Sequence, residues 1–199
     1  MKKLHLICNS HLDPVWMWDW EEGAGTALST FWQAARFCEE YDYVFCHNEV
    51  TVYKYVEEYA PELFKEIQQL VKEGKWHIMG GWFLQPDCNI PSGESFMRHT
   101  LICQRYFKEK FGVTATPGYN VDSFGHNAGI PKILRAGGME NYVFMRPSKE
   151  EQGRNERLFW WESDDGSRVT AFRIRFLMLF WHRIKMPAWI AKPSVQQVL

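Results

Sequence analysis

The chain has 199 residues, enough for one domain with a substantial core, and a formal net charge of -1. That balance excludes the basic footprint of a nucleic-acid binder and the basic patch of a membrane-surface protein. No apolar run approaches the roughly 20 residues that cross a bilayer, so neither nucleic acid nor membrane is expected as a partner.

The five cysteines are Cys8, Cys38, Cys46, Cys88 and Cys103. Their number is odd and no C-x-x-C occurs, which argues against a disulfide framework or a zinc knuckle. Buried free thiols in a reducing compartment are expected, hence a cytoplasmic protein. The N-terminus, MKKLHLICNS, has two lysines and a short apolar run interrupted by His5. That run is shorter than the roughly 7–15 apolar residues of a signal peptide and is expected to be a strand instead.

In chain order, KLHLIC is the first predicted strand and is followed by the loop HLDPVW. Residues 26–41 carry Leu28, Phe31, Ala35 and Cys38 at helical spacing. A second strand is predicted at 43–46. Helix follows over 50–72, with Tyr53, Val56, Leu63, Ile67 and Leu70 inward, a kink or break at Pro61 and Gly74 at the end. A third strand at 76–79 leads into the long loop GGWFLQPDCNIPSGES. Ser92 or Gly93 caps a helix to about Lys110, with Phe96, Leu101, Ile102 and Tyr106 inward. A fourth strand at 117–121 runs into DSFGHN. A short helix at 129–137, a fifth strand at 142–145 and a loop at 147–156 follow. Residues 158–162 and 168–174 flank Asp165-Gly166, a strong hairpin signal. This alternation predicts a mostly parallel sheet or barrel with helices outside.

Such folds place their chemistry at the C-terminal edge of the sheet. HLDPVW, GGWFLQPD and VDSFGHN each follow a predicted strand and converge there. His11, Asp13 and Asp122 offer one nitrogen and two carboxylates, a donor set that suits zinc with open positions, with cobalt, manganese or calcium as lesser options. Open positions accept sugar hydroxyls, and the ten tryptophans include candidates to stack on a sugar ring, Trp16 among them. Several residues admit two readings. Trp82 either lines a sugar subsite or fills the core. Asp87 either touches substrate or forms an Asx-turn with Asn89. His126 either contacts substrate or satisfies a turn, and Glu49 is a spare carboxylate read as structural.

These motifs together resemble glycoside hydrolase family 38, the retaining α-mannosidases. HLDPVW resembles its H-x-D-x-x-W motif, GKWHIMGGWFLQPDCNIPSGES its glycine-glycine-tryptophan segment, and PGYNVDSFGHN its D-x-F-G-H motif. The resemblance runs from about His5 to Thr170. It implies an incomplete seven-stranded (β/α) barrel and a zinc ion held by His11, Asp13 and Asp122. It implies that Asp122 is also the nucleophile and that Arg146 orients it. It implies an α-mannoside or mannose-containing oligosaccharide as substrate, for which Trp16, Trp82, Asp87 and His126 stand as the candidate contacts read above, and a homo-oligomer in the full-length form. A later histidine ligand and the acid/base carboxyl are implied beyond Leu199. On this reading residues 1–174 are the N-terminal portion of the catalytic barrel. Residues 175–199, packed with apolar residues and free of acidic ones, form an atypical tail read as out of frame. The rival reading is a catalytically incomplete fragment that at most binds metal and sugar. A metal-dependent sugar deacetylase would need H-x-x-x-H, which does not occur.

Overall fold

The computed structural model describes residues 8–153 and 155–174. The KLHLIC strand, apart from Cys8, and the 175–199 tail lie outside them. The elements are α1 (Trp20–Glu40), β1 (Phe45–His47), α2 (Val50–Tyr59), α3 (Pro61–Lys72), β2 (Trp76–Ile78), α4 (Gly93–Phe111), β3 (Pro117–Asn120), α5 (Ile130–Ala136), β4 (Asn141–Phe144), α6 (Lys149–Gln152), β5 (Leu158–Glu162) and β6 (Arg168–Arg173).

The parallel pairs β1–β2, β3–β4 and β4–β6 are joined by a Gly80–Gly118 bridge, and a Cys8–Phe45 bridge extends the sheet on the other side. Among the described strands only β5 is antiparallel, in the hairpin with β6. The result is a mixed α/β fold with a parallel-rich sheet. It holds six strands among the described residues, so the expected seven-stranded barrel is met only in part. Because the pairing is parallel, the residues after Cys8, β1, β2, β3 and β4 emerge on one edge.

Local chemistry explains the helix limits. The periodicity predicts a helix from 26, but α1 starts at Trp20, where the Asp19 side chain accepts from the Glu22 backbone N–H and two glutamates complement the helix dipole. Its inner face there is built of Gly23, Ala24 and Ala27, too small to register as an apolar stripe. Pro61 sits in the first turn of α3, and the single residue Ala60 separates it from α2. In α4, Leu101 and Ile102 are 58% and 49% exposed, against expectation. The buried stripe is Phe96, Thr100, Cys103, Phe107 and Phe111, in which two small residues complete the helical period. The expected loop at 147–156 contains α6, nucleated by a reciprocal capping box between Ser148 and Glu151.

Three apolar clusters hold the sheet, the smallest formed by Cys46, Met79, Tyr119 and Val121. The first centres on Phe31, whose ring meets Phe45, Tyr53 and Trp76 edge-on at 5.1–6.2 Å. Its polar tips are satisfied: Trp76 Nε1 donates to Tyr53 Oη, which donates to the His47 carbonyl. The second lies around Trp82, Phe96, Ile130, Tyr142 and Phe144. All five cysteines are free and all but the half-buried Cys8 are buried, as the sequence predicts. Among the described residues no helix is long and apolar enough to cross a membrane.

Candidate active site

The loop from His11 to Trp18 is strapped to the sheet at both ends. Asn9 Nδ2 donates to the Cys46 carbonyl at 2.8 Å, and Tyr119 Oη donates to Asn9 Oδ1 at 3.0 Å. Trp18 Nε1 donates to the Asp13 carbonyl at 3.0 Å, closing the turn. The loop then lies directly on α1, where a Cβ at Gly23 would stand 2.0 Å from the Pro14 carbonyl oxygen.

This places His11 and Asp13 opposite Asp122, which follows β3. His11 Nε2 is 3.2 Å from Asp13 Oδ1 and 3.9 Å from Asp122 Oδ2. On its other oxygen, Asp122 receives Arg146 Nη1 at 3.1 Å. The Arg146 guanidinium also lies over the ring of Phe124, 5.0 Å from its centroid. The four polar side chains named in the sequence as metal ligands, nucleophile and orienting arginine thus form one cluster at the C-terminal edge. They are 30–43% exposed, open to a solvent-borne ligand.

Gln85, which the sequence reading missed, ties this cluster together. Its Oε1 accepts from the Val121 backbone N–H at 3.0 Å, so its Nε2 is the group facing His11 Nδ1 at 3.3 Å. His11 Nδ1 therefore accepts, and its Nε2 carries the ring proton toward the carboxylates. Gln85 is in turn held by Glu49, whose Oε1 accepts from the Gln85 backbone N–H at 2.8 Å. Glu49 is buried, and burial pushes its carboxyl up to about 7, partly offset by the hydrogen bonds from Gln85. The only signal in the sequence was a polar residue early in the loop after one strand and a carboxylate after another.

The remaining candidates divide. Trp16 is 64% exposed and packs edge-on against Trp18, so its ring is available. Trp82 is fully buried against Phe96 and offers no face to a sugar; of its two readings, core is the one found. Asp87 Oδ1 accepts from the backbone N–H groups of Asn89 and Ile90, the Asx-turn reading, and these bonds hold its carboxyl below the usual range. His126 Nε2 donates to the Arg146 carbonyl at 2.7 Å while Nδ1 accepts from Tyr142 Oη at 3.2 Å. Burial lowers the His126 pKa, so the neutral ring anchors the segment that carries Arg146.

Whether a metal ion suits this cluster can be tested on its donors. Ligands bound to zinc at about 2.0–2.2 Å stand roughly 3.3 Å apart in a tetrahedral site. The separations of 3.2 and 3.9 Å from His11 Nε2 are close to that spacing. No group of three His, Cys, Asp or Glu side chains among the described residues is arranged as a finished metal site. The cluster has the donor chemistry for a divalent ion, in side chains with room to turn, but it stands as a hydrogen-bonded imidazole facing two carboxylates.

Known proteins share both sequence and fold with this chain. It is 32% identical over 165 residues to alpha-mannosidase G of Dictyostelium discoideum, covering 82% of this chain and 15% of that protein. With alpha-mannosidase 2C1 of Mus musculus it shares 27% identity over 168 residues, 83% of this chain and 16% of that protein. The crystal structure of an alpha-mannosidase from Enterococcus faecalis V583 superposes with a TM-score of 0.77 at 21% identity, over 87% of this chain and 20% of that one. The chain therefore spans only a small part of the relatives it matches. The model of the glycosyl hydrolases family 38 N-terminal domain matches residues 1–192, reaching into the segment that the sequence sets apart as a tail. A parallel-rich fold, an edge carrying histidine and aspartates, and a match across nearly the whole chain agree, and the chain belongs to glycosyl hydrolase family 38 through its N-terminal domain.

Proposed function

We propose that this chain supplies the metal-binding and nucleophilic part of a zinc-dependent, retaining α-mannosidase. The observation that carries the reading is the approach of His11, Asp13 and Arg146 to the single carboxylate of Asp122 or to one another, within 3.9 Å. His11, Asp13 and Asp122 would hold the ion. When bound, it would supply positive charge and open positions for two sugar hydroxyls, and the cis 2- and 3-hydroxyls of mannose suit such chelation.

The nucleophilic step belongs to the chain's own residues. Asp122 attacks the anomeric carbon as the bond to the leaving oxygen breaks, and water later hydrolyses the glycosyl-enzyme. A second carboxyl, which the family resemblance places beyond Leu199, would protonate the leaving oxygen and then deprotonate the water from about 5–5.5 Å away. Arg146 fixes the orientation of Asp122, and His126 fixes Arg146 through its carbonyl. Trp16 offers an exposed face to the sugar's C–H groups. Turnover is assigned to the whole protein, of which curated relatives are several times longer. The free thiols favour a reducing, cytoplasmic setting.

Zinc titration by calorimetry on the chain, beside Asp13→Ala and Asp122→Ala, tests the reading. Stoichiometric binding lost in both variants is expected, followed by zinc-dependent affinity for a simple α-mannoside. Binding that is absent, or indifferent to both substitutions, would remove the metal from this reading.

A further inference from the structure

Glu49 combines features that packing alone does not require. It is the residue in α2's N-cap position, yet its side chain makes no capping hydrogen bond. Its backbone stands at φ 72, ψ 100, and it is the sole non-glycine residue with positive φ among the described residues. A long side chain is disfavoured there, and such strain persists where the surroundings hold it in place. The carboxyl is buried to 2% exposure, with Oε1 on the Gln85 backbone N–H and Oε2 without a hydrogen-bond partner among the described residues. An asparagine or glycine would fit the backbone better, and an apolar side chain would fill the space without burying a carboxyl.

We propose that Glu49 is a positioning residue: a strained, buried carboxyl that fixes the place of Gln85, and through it the His11 ring and the strand end before Asp122. The geometry supplies each link. Glu49 fixes the Gln85 backbone at 2.8 Å. The Gln85 side chain then spans from Val121 N–H at 3.0 Å to His11 Nδ1 at 3.3 Å. One amide thereby sets the spacing between the loop after Cys8 and the loop after β3, which carry the facing donors. The inference rests on the metal reading only for its consequence. The positioning itself is a property of the metal-free chain.

The test uses the chain with Glu49→Gly, Glu49→Asn, Glu49→Gln and Gln85→Ala, and three readouts. These are the urea unfolding midpoint, hydrogen exchange at the Val121 amide, and affinity for zinc alone. Glycine and asparagine relieve the positive φ but withdraw the acceptor from Gln85. Unfolding midpoints at or above the parent's are expected for them, together with Val121 exchange about tenfold faster and zinc binding about tenfold weaker, the scale of a lost outer hydrogen bond at a metal site. Glutamine keeps an acceptor in place and should restore Val121 protection. Should Glu49→Gly and Glu49→Asn leave Val121 exchange unchanged while Gln85→Ala accelerates it, Glu49 does not act through Gln85 and the proposal fails. A fall in midpoint with exchange rising equally at all amides would make Glu49 merely structural. If the parent chain binds no zinc, the metal reading falls alone, and Val121 exchange still decides the positioning role.

Discussion

The carbonyl oxygen of Pro14 lies 2.0 Å from where a Cβ on Gly23 would stand. The loop that carries His11 and Asp13 therefore rests on bare backbone at the start of α1, and any side chain there would push it away from Asp122. Gly23→Ala gains up to about 1 kcal/mol of helix propensity. The clash is with backbone, which cannot rotate aside, and overpacking of this kind costs typically 1–3 kcal/mol. The expected result in urea unfolding is net destabilisation together with weaker zinc binding. A more stable variant with intact zinc affinity would show that the loop shifts freely.

Burial of Glu49 gives stability a defined pH dependence. Its carboxyl titrates at 4.5 when unperturbed and at about 7 in the folded chain, so the native state keeps the proton to higher pH. Below 4.5 both states are protonated and there is no penalty. Between 4.5 and about 7 the native state binds more protons, and this group lowers stability as pH rises. The full difference is on the order of 3 kcal/mol at roughly 1.4 kcal/mol per pKa unit. Glu49→Gln removes that slope. Unfolding free energies of parent and variant should diverge across this window in favour of glutamine; parallel curves would contradict it.

Two tryptophans that looked alike as sugar platforms should separate in mutation. Trp82 is wholly buried, and Trp82→Ala is expected to cost about 3–5 kcal/mol in chemical denaturation. Trp16 is 64% exposed, and Trp16→Ala should change stability by less than about 0.5 kcal/mol while lowering affinity for an α-mannoside. A large loss of stability in Trp16→Ala would move that ring from platform to structure.

The Arg146–Asp122 pair is 42% and 36% exposed, so solvent screens it. Arg146→Ala is expected to lower stability by no more than about 1 kcal/mol, with a smaller effect still at high salt. An effect several times larger and insensitive to salt would mean that Arg146 is buried in solution.

The parts of this fold that the sequence displays openly are those set by local chemistry. Pro61 divides two helices because its ring suits a first turn, and Asp165-Gly166 turns a hairpin because glycine accepts the positive φ of 80°. His11, Asp13, Asp122 and Arg146 could be placed on one edge because each follows a strand of a parallel set. Residues whose role lies in a long-range partner were hidden. Gln85 meets Val121 and His11 only after folding, and Glu49 reads as one more carboxylate until its burial is seen. The inner face of α4 was misread because Thr100 and Cys103 are small, while Leu101 and Ile102 are large but point elsewhere.

The two glycines of the Gly80–Gly118 bridge form a seam between β2 and β3, across which the backbone bonds are Gly80 N–H to the Pro117 carbonyl and Tyr119 N–H to the Gly80 carbonyl. His11 and Asp13 stand on the β1–β2 side of that seam, and Asp122 and Arg146 on the other. A ligand gripping both banks would act as a suture. Its binding energy would add to the contacts of Cys46 and Met79 with Tyr119 and Val121, which already span the seam, and would resist the parting of the two banks.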